Sequence, residues 1–186
     1  CMTAHRSLFL AGPVQGRTVL VTGGAGAVGH YAVQLAAWAG ASVIATVSSE
    51  DKAQRARAGG AHHVIDYRRE DVAARVRELT GGQGVHHVVE VDFGGNLAST
   101  LASVRLNGST AYYTTKGDRE PRLPAGSVIG LNLTIAGVYL PVSPHEAPRR
   151  AQDDISRRIA SAAPTHPLAV VYGLTDSPAA PEAHRA

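Results

Sequence analysis

The chain has 186 residues, 44% of them hydrophobic, with 20 glycines and a net charge of +3, a length that suits one domain with its own core. No apolar run approaches the ~20 residues that a membrane helix requires, and the arginines are scattered rather than gathered in a stripe with interleaved aromatics, so membrane insertion and nucleic-acid binding are both disfavoured. The single cysteine, Cys1, has no disulfide partner and cannot by itself build a structural zinc site, a usage that fits a reducing, cytoplasmic setting. The first fifteen residues lack the charged start, apolar stretch and cleavage site of a secretory signal. A chain that opens on Cys1 rather than Met is expected to continue upstream, as a fragment of a longer protein.

In chain order, the β-branched apolar run 18–22 predicts a strand, and a glycine cluster behind it opens an alanine-rich helix over 27–39. Val28, Tyr31, Ala32, Leu35 and Ala36 share one face of that helix, and Gly40 ends it. The next strand is 42–47, followed by Ser48 and Ser49 as caps for a helix over 51–58 that Gly59 and Gly60 stop. A third strand, 63–65, leads to a helix that buries Val72, Val76 and Leu79 before Thr80, Gly81 and Gly82 break it. Strand 86–91, helix 96–104, strand 109–113 and strand 131–140 complete the run. Ser143, Pro144 and Glu146 form the pattern of a capping box with proline at the first helical position, opening a helix that buries Ala147, Ala151, Ile155 and Ile159.

Strands alternating with helices, apolar enough to be covered on both faces, predict an α/β fold: a doubly wound, six-stranded parallel sheet of the Rossmann dinucleotide-binding kind, with helices on both faces.

Gly24, Gly26 and Gly29 fit G-x-G-x-x-G between a predicted strand and a predicted helix, the context that gives this otherwise weak pattern its meaning. The first glycine allows a tight turn, the second lets backbone approach a pyrophosphate, and the third lets helix and strand pack closely. The amides of Ala27 and Val28, at the positive end of the helix, are then placed to hold phosphate oxygens without a charged side chain. The cofactor's 2′ position is read about twenty residues further on, where NAD-binding proteins place an acid. Here the strand ends in Val47 and Ser48, with no carboxylate at that spot. Ser48, Ser49 and Lys52 offer hydroxyls and a cation suited to a 2′-phosphate, so NADPH is expected over NADH.

Other groups admit plainer roles. Glu90 and Asp92 either orient a ribose or cap the following helix. Tyr112 and Lys116, with Ser99 upstream, match the Tyr-x-x-x-Lys pattern of short-chain dehydrogenases, but that pair needs one helical face and the segment reads as a strand. His62 with His63, and His86 with His87, are adjacent on strands, point to opposite faces and cannot share a metal ion, so solvated or core-edge histidines are expected and no metal site.

The motifs VLVTGGAGAVGHYAVQLA at 19–36, GAHHVIDYRRED at 60–71, LTGGQGVHHVVEVDFGGNL at 79–97 and EAHRA at 182–186 together resemble the zeta-crystallin-like, zinc-independent quinone oxidoreductases of the medium-chain dehydrogenase superfamily. The resemblance implies an NADPH-dependent enzyme that reduces quinones or related electrophilic carbonyl compounds. It implies a two-domain subunit and a homodimer joined through the last strand, here 131–140. It further implies that Gly24, Ala25, Gly26, Ala27, Val28 and Gly29 hold the pyrophosphate, that Ser48, Lys52 and Tyr67 face the adenosine phosphate, and that Tyr113, Thr114 and Thr115 lie beneath the nicotinamide. Thr114 stands where the family often has glycine. On this reading 1–16 is the trailing segment of a mostly absent catalytic domain, 17–165 the NADPH-binding domain and 166–186 the start of the return. The substrate-contacting and catalytic residues then lie outside the chain. Zinc-type alcohol dehydrogenases and enoyl reductases share this half-fold and remain alternatives, as does a non-catalytic NADP(H)-binding module.

Overall fold

Six short runs of apolar residues line up as one parallel sheet in the computed structural model, which describes residues 1–161 and 165–166. In chain order the elements are α1 (Met2–Phe9), β1 (Thr18–Val21), α2 (Ala27–Trp38), β2 (Ser42–Val47), α3 (Glu50–Ala58), β3 (His63–Asp66), α4 (Val72–Leu79), β4 (Val85–Glu90), α5 (Phe93–Ser103), β5 (Val104–Tyr112), α6 (Ala125–Gly130), β6 (Thr134–Gly137) and α7 (Glu146–Ser161). The strands run in the order β3-β2-β1-β4-β5-β6, all pairs parallel. This is the doubly wound sheet that the alternation predicted.

Side chains alternate across each strand, and the alternation sorts the core into two layers. Val19, Val21, Val43, Ala45 and Val89 face α1, α2 and α3. Leu20, Ile44, Ile65 and Val88 face the opposite way and pack against Val76 of α4. Phe93, Leu97 and Leu101 of α5 extend that second layer toward Leu133 and Ile135 near β6. Each fully buried aliphatic side chain contributes roughly 1.5–3 kcal/mol relative to exposure.

Several expectations need correction. The predicted strand over 131–140 forms only as Thr134–Gly137, after which Leu140–Val142 makes a single 3-10 turn around Pro141. Its partner β5 ends at Tyr112, whose carbonyl takes the last bond of the pair, from the Val138 amide. The strand predicted at 109–113 begins earlier, at Val104, with a register irregularity between Val85 and His87 of its neighbour, and it stops before Tyr113. The helix predicted from 96 begins at Phe93 because Asp92 caps it, its side chain accepting from the amide of Gly95. Helices α1 and α6 were not expected.

The capping box at Ser143 does not form. The Ser143 hydroxyl donates to the Tyr139 carbonyl at 3.2 Å and α7 starts at Glu146. Helix α7 buries Ala151 and Asp154, half-buries Ala147 and Ile155, and leaves Ile159 exposed. Asp154 is buried with a purpose: it accepts a hydrogen from His5 Nε2 of α1 at 2.7 Å and also binds Arg157. Burial pushes the His5 pKa down while these partners hold the Asp154 carboxyl down, which describes a neutral imidazole donating to a carboxylate. The segment 167–186, with the expected return to another domain and the motif EAHRA, lies outside the described residues.

His87 is the largest departure from the expected core-edge histidines, being 2% exposed. Its Nδ1 lies 2.7 Å from Ser109 Oγ and its Nε2 lies 2.8 Å from the Ser7 carbonyl, so one ring ties β4 to both β5 and α1. Burial pushes its pKa down from 6.5 to about 4, with the Ser7 carbonyl opposing and the Arg17 charge adding to the fall. The unfolded chain therefore takes up this proton near pH 6.5 and the folded chain only near 4. Its contribution to stability is complete above pH 6.5 and is lost as acid is added through that window, by up to about 3 kcal/mol. Urea unfolding from pH 7.5 down to 4.5 should show this decline, and a His87→Asn variant should show a shallower one. Equal slopes would rule out His87 as its source.

Candidate functional site

The chain leaves β1 for α2 on one face of the sheet and leaves β4 for α5 on the other, so the strand order reverses between β1 and β4. A crevice opens there at the carboxyl ends, where ligands bind in doubly wound folds. A cleft of about 650 Å³ occupies that position, walled by Gly23, Thr46, Tyr67, Asn96, Thr100 and Lys116 among others.

The glycine turn forms one rim. Gly23 takes the left-handed conformation, with φ of 64°, so the tight turn assigned to Gly24 from the motif is made one residue earlier. Gly24 is required for another reason: a Cβ there would come within 2.7 Å of the Ala45 Cβ on β2. At Gly29 a Cβ would lie 2.2 Å from the Gly23 carbonyl oxygen, so only glycine lets α2 pack this close to the end of β1. Thr46 fixes the turn, its hydroxyl accepting from the Gly23 amide at 3.1 Å and its carbonyl from the Gly24 amide at 2.9 Å. Sequence reasoning missed Thr46; its only signal was a hydroxyl inside an otherwise apolar strand. Helix α2 begins at Ala27, with Gly26 as a cap that offers no side chain and no acid in the first turn. The amides of Ala27 and Val28 thus open an uncapped positive helix end, which accepts an anion such as a pyrophosphate.

At the end of β2, the buried Ser48 hydroxyl accepts from Lys52 Nζ at 2.9 Å, and Ser49 caps α3 by accepting from the Lys52 amide at 3.4 Å. Glu50 pairs with Arg57 at 2.8 Å and Asp51 with Arg55 at 2.9 Å, so both nearby acids are engaged by their own helix. Tyr67, 52% exposed, lines the cleft from beyond β3, whereas Ser48 and Lys52 stand outside its wall. Tyr113 and Thr114 follow β5, and the Thr114 carbonyl accepts from the Phe93 amide at 3.2 Å. Thr115 donates to the Asp118 carbonyl and accepts from the Gly94 amide. Burial, reinforced by Glu90, pushes the Tyr113 pKa upward, so its phenol stays protonated.

Tyr112 ends a strand and stacks on Phe93 at 4.4 Å, which removes the helical face a Tyr-x-x-x-Lys pair needs. Among the described residues no three His, Cys, Asp or Glu side chains come together as a metal site.

Of the two residues expected to orient a ribose or cap a helix, Asp92 is the cap of α5, while Glu90 links elements across the crevice. Glu90 is fully buried at the end of β4. Its Oε1 accepts from the Thr22 hydroxyl at 2.9 Å, the Asp92 amide at 2.7 Å and Asn96 Nδ2 at 2.8 Å, while Oε2 accepts from the Thr100 hydroxyl at 2.8 Å. One carboxylate thus joins the end of β1 to the start of α5 across the crevice. Asp92 caps α5 and also accepts from the amides of Lys116 and Gly117 at 2.7 and 3.0 Å. Burial alone would raise the Asp92 pKa, but these amides hold it below the ordinary carboxylate value.

Replacing Glu90 by Leu strands three donors, the Thr22 hydroxyl retaining the Val89 carbonyl at 3.3 Å, and should cost about 3 kcal/mol or more. Glu90→Gln keeps one acceptor oxygen and lets the Thr100 hydroxyl turn to accept, so it should cost less than half as much. Chemical denaturation of both variants measures this, and equal losses would contradict the hydrogen-bond account.

The zinc-binding dehydrogenase family model matches residues 27–157. A 2-haloacrylate reductase of Burkholderia sp. is 42% identical over 113 residues, 60% of this chain and 34% of that protein. Quinone oxidoreductase 1 of Escherichia coli K12 is 45% identical over 111 residues, 60% of this chain and 32% of its own length. The chain therefore spans about a third of these curated relatives. A mycobacterial structure complexed with NADPH superposes with a TM-score of 0.77 at 32% identity, covering 92% of this chain and 54% of the other. With a sheet wound as the motifs required, and with the family match running from the first turn of α2 into α7, the chain belongs to the zinc-binding dehydrogenase family of the medium-chain dehydrogenase superfamily.

Proposed function

We propose that this chain is the NADPH-binding part of an oxidoreductase that passes hydride to a quinone or related electrophilic carbonyl compound. The observation that carries this reading is the uncapped start of α2 beside the Gly23 turn, at the mouth of a cleft at the strand-order reversal. Relatives named as quinone oxidoreductase and 2-haloacrylate reductase support the reaction class.

The glycine turn fits a dinucleotide on steric grounds, since Gly24 and Gly29 let α2 pack closely on the strand ends and its first amides carry no side-chain cap. In this reading Gly24, Ala25, Gly26, Ala27, Val28 and Gly29 take the pyrophosphate. Ser48 and Lys52, already paired, take the 2′-phosphate, and Tyr67 flanks the adenosine. Tyr113, Thr114 and Thr115 support the nicotinamide end. The cofactor supplies hydride from its C4, and these residues orient it and shield one side. The substrate-binding remainder belongs to a further domain, with 1–16 and 166–186 as its junctions.

The chain is also proposed to pair with a second copy through β6. That strand ends the sheet, and Ile129, Tyr139 and Val142 around it are exposed. An open edge with apolar neighbours is a pairing template. Sedimentation of the full-length protein should show a dimer, and a proline at Ile135 should dissociate it.

Titration with NADPH and NADH, read by nicotinamide fluorescence, tests the cofactor. NADPH should bind more tightly. Lys52→Ala should weaken NADPH by roughly tenfold, the equivalent of ~1.5 kcal/mol for a charge-assisted hydrogen bond, and leave NADH nearly unchanged. Preference for NADH, or an unaltered NADPH affinity in the variant, would refute the 2′-phosphate assignment.

A further inference from the structure

Four charged side chains wall the cleft: Glu70, Asp71, Asp92 and Lys116. The three acids are engaged. Asp71 caps α4 by accepting from the Ala74 amide at 3.0 Å. Glu70 accepts from the Asp66 amide at 2.9 Å and lies 3.8 Å from Arg75. Asp92 accepts from the amides of Gly95, Lys116 and Gly117. Lys116 differs from them: among the described residues its ammonium makes no hydrogen bond and no ion pair, and it acts on Asp92 only through space.

The root of this side chain is nevertheless fixed. The Asp92 carboxylate clamps the amides of both Lys116 and Gly117, and a Cβ on Gly117 would come within 2.8 Å of the Gly95 Cα, so the loop is packed tightly onto the first turn of α5. Asp92 therefore anchors a cation at the wall of a cleft whose acids are already satisfied.

Its flank decides which group it meets. Along the carboxyl edge of the sheet the order is β2, β1, β4, β5. Ser48 and Lys52 follow β2, the glycine turn follows β1, Asp92 follows β4, and Lys116 follows β5. Lys116 thus stands on the side of the glycine turn away from the proposed 2′-phosphate pair. The first turn of α2 offers a pyrophosphate only neutral amides, and Lys116, which walls the cleft together with Gly23 of the glycine turn, adds a positive charge.

We propose that Lys116 is a cofactor-binding residue whose ammonium meets the pyrophosphate of the dinucleotide from the β5 side of the cleft. This rests on the reading of the cleft as a dinucleotide site. Because the pyrophosphate is common to both nicotinamide cofactors, Lys116 governs affinity and not the choice between them.

The test uses the full-length protein, titrated with NADPH and with NADH at low and high salt, for wild type, Lys116→Ala and Lys116→Arg. Lys116→Ala should weaken both cofactors by the same factor, about threefold to tenfold for an exposed charge, and the loss should shrink as salt rises. Lys116→Arg should restore most of the affinity. Unfolding midpoints should stay level, since the amine has no partner to lose. Unchanged affinity in Lys116→Ala overturns the proposal, and so does a loss confined to NADPH, which would place the amine on the 2′-phosphate. If the folded wild type binds neither cofactor, the dinucleotide reading itself fails and this inference falls with it. Wild-type binding with an inert Lys116→Ala refutes the inference alone.

Discussion

Thr22, Asn96, Thr100 and the amide of Asp92 all donate to one buried carboxylate, that of Glu90, at the point where the sheet reverses its strand order. A buried acid without a cation is held only by such donors, and each donor would be costly to leave unpaired. The consequence is geometric. Thr22 immediately precedes the glycine turn, Asp92 caps α5, and Asn96 and Thr100 form the inner face of α5, so both walls of the crevice take their position from the same two oxygen atoms. Asp92 then carries the constraint one loop further, to Lys116 and Gly117.

The opposite rim is set by the absence of atoms rather than by bonds. Gly29 faces the Gly23 carbonyl and Gly24 faces Ala45 at distances no Cβ could tolerate. With α2 drawn this close, its first amides stand at the carboxyl edge of the sheet with no side chain to satisfy them. Close packing and an uncapped helix start are therefore two outcomes of the same glycines. Electrostatically the crevice is mild: its acids are consumed by caps and backbone amides, and positive character comes from a helix end and lysines at either flank.

Away from the crevice, long-range polar contacts bind the N-terminal helix to the sheet. His87 joins Ser7 of α1 to Ser109 of β5, and His5 joins α1 to Asp154 of α7. Both imidazoles are pushed toward their neutral forms by burial. They make the α1 side of the fold sensitive to acid, although they lie on elements that carry none of the proposed cofactor contacts.

Much of the fold was legible in the sequence because strand and helix periods are local properties. The apolar runs at β1, β2 and β4, the glycine stops after α2 and α3, and the G-x-G-x-x-G spacing each depend on neighbours within a few residues, and they specified a parallel, doubly wound sheet. The Ser49 cap of α3 was readable for the same reason. What escaped depended on partners far along the chain. Glu90 and Thr22 are 68 residues apart, Asp92 and Lys116 are 24 apart, and His87 meets Ser7 across 80. Lys116 sat in a motif that belongs to helical sites, and only its place after β5, clamped by Asp92, gave it a wall to stand on. The strand expected over 131–140 was overestimated because its apolar content suits a strand, while the end of α6 takes Leu131 as its cap and the last bond to β5 is made by the Val138 amide, just beyond the end of β5 at Tyr112. Sequence by itself determined the alternation of the six strands with their main helices and the place of the glycine cluster between β1 and α2, since both are written in short-range sterics. The tertiary structure alone decided which buried polar groups meet across the crevice, since a hydrogen bond between distant residues exists only once the sheet has brought them together.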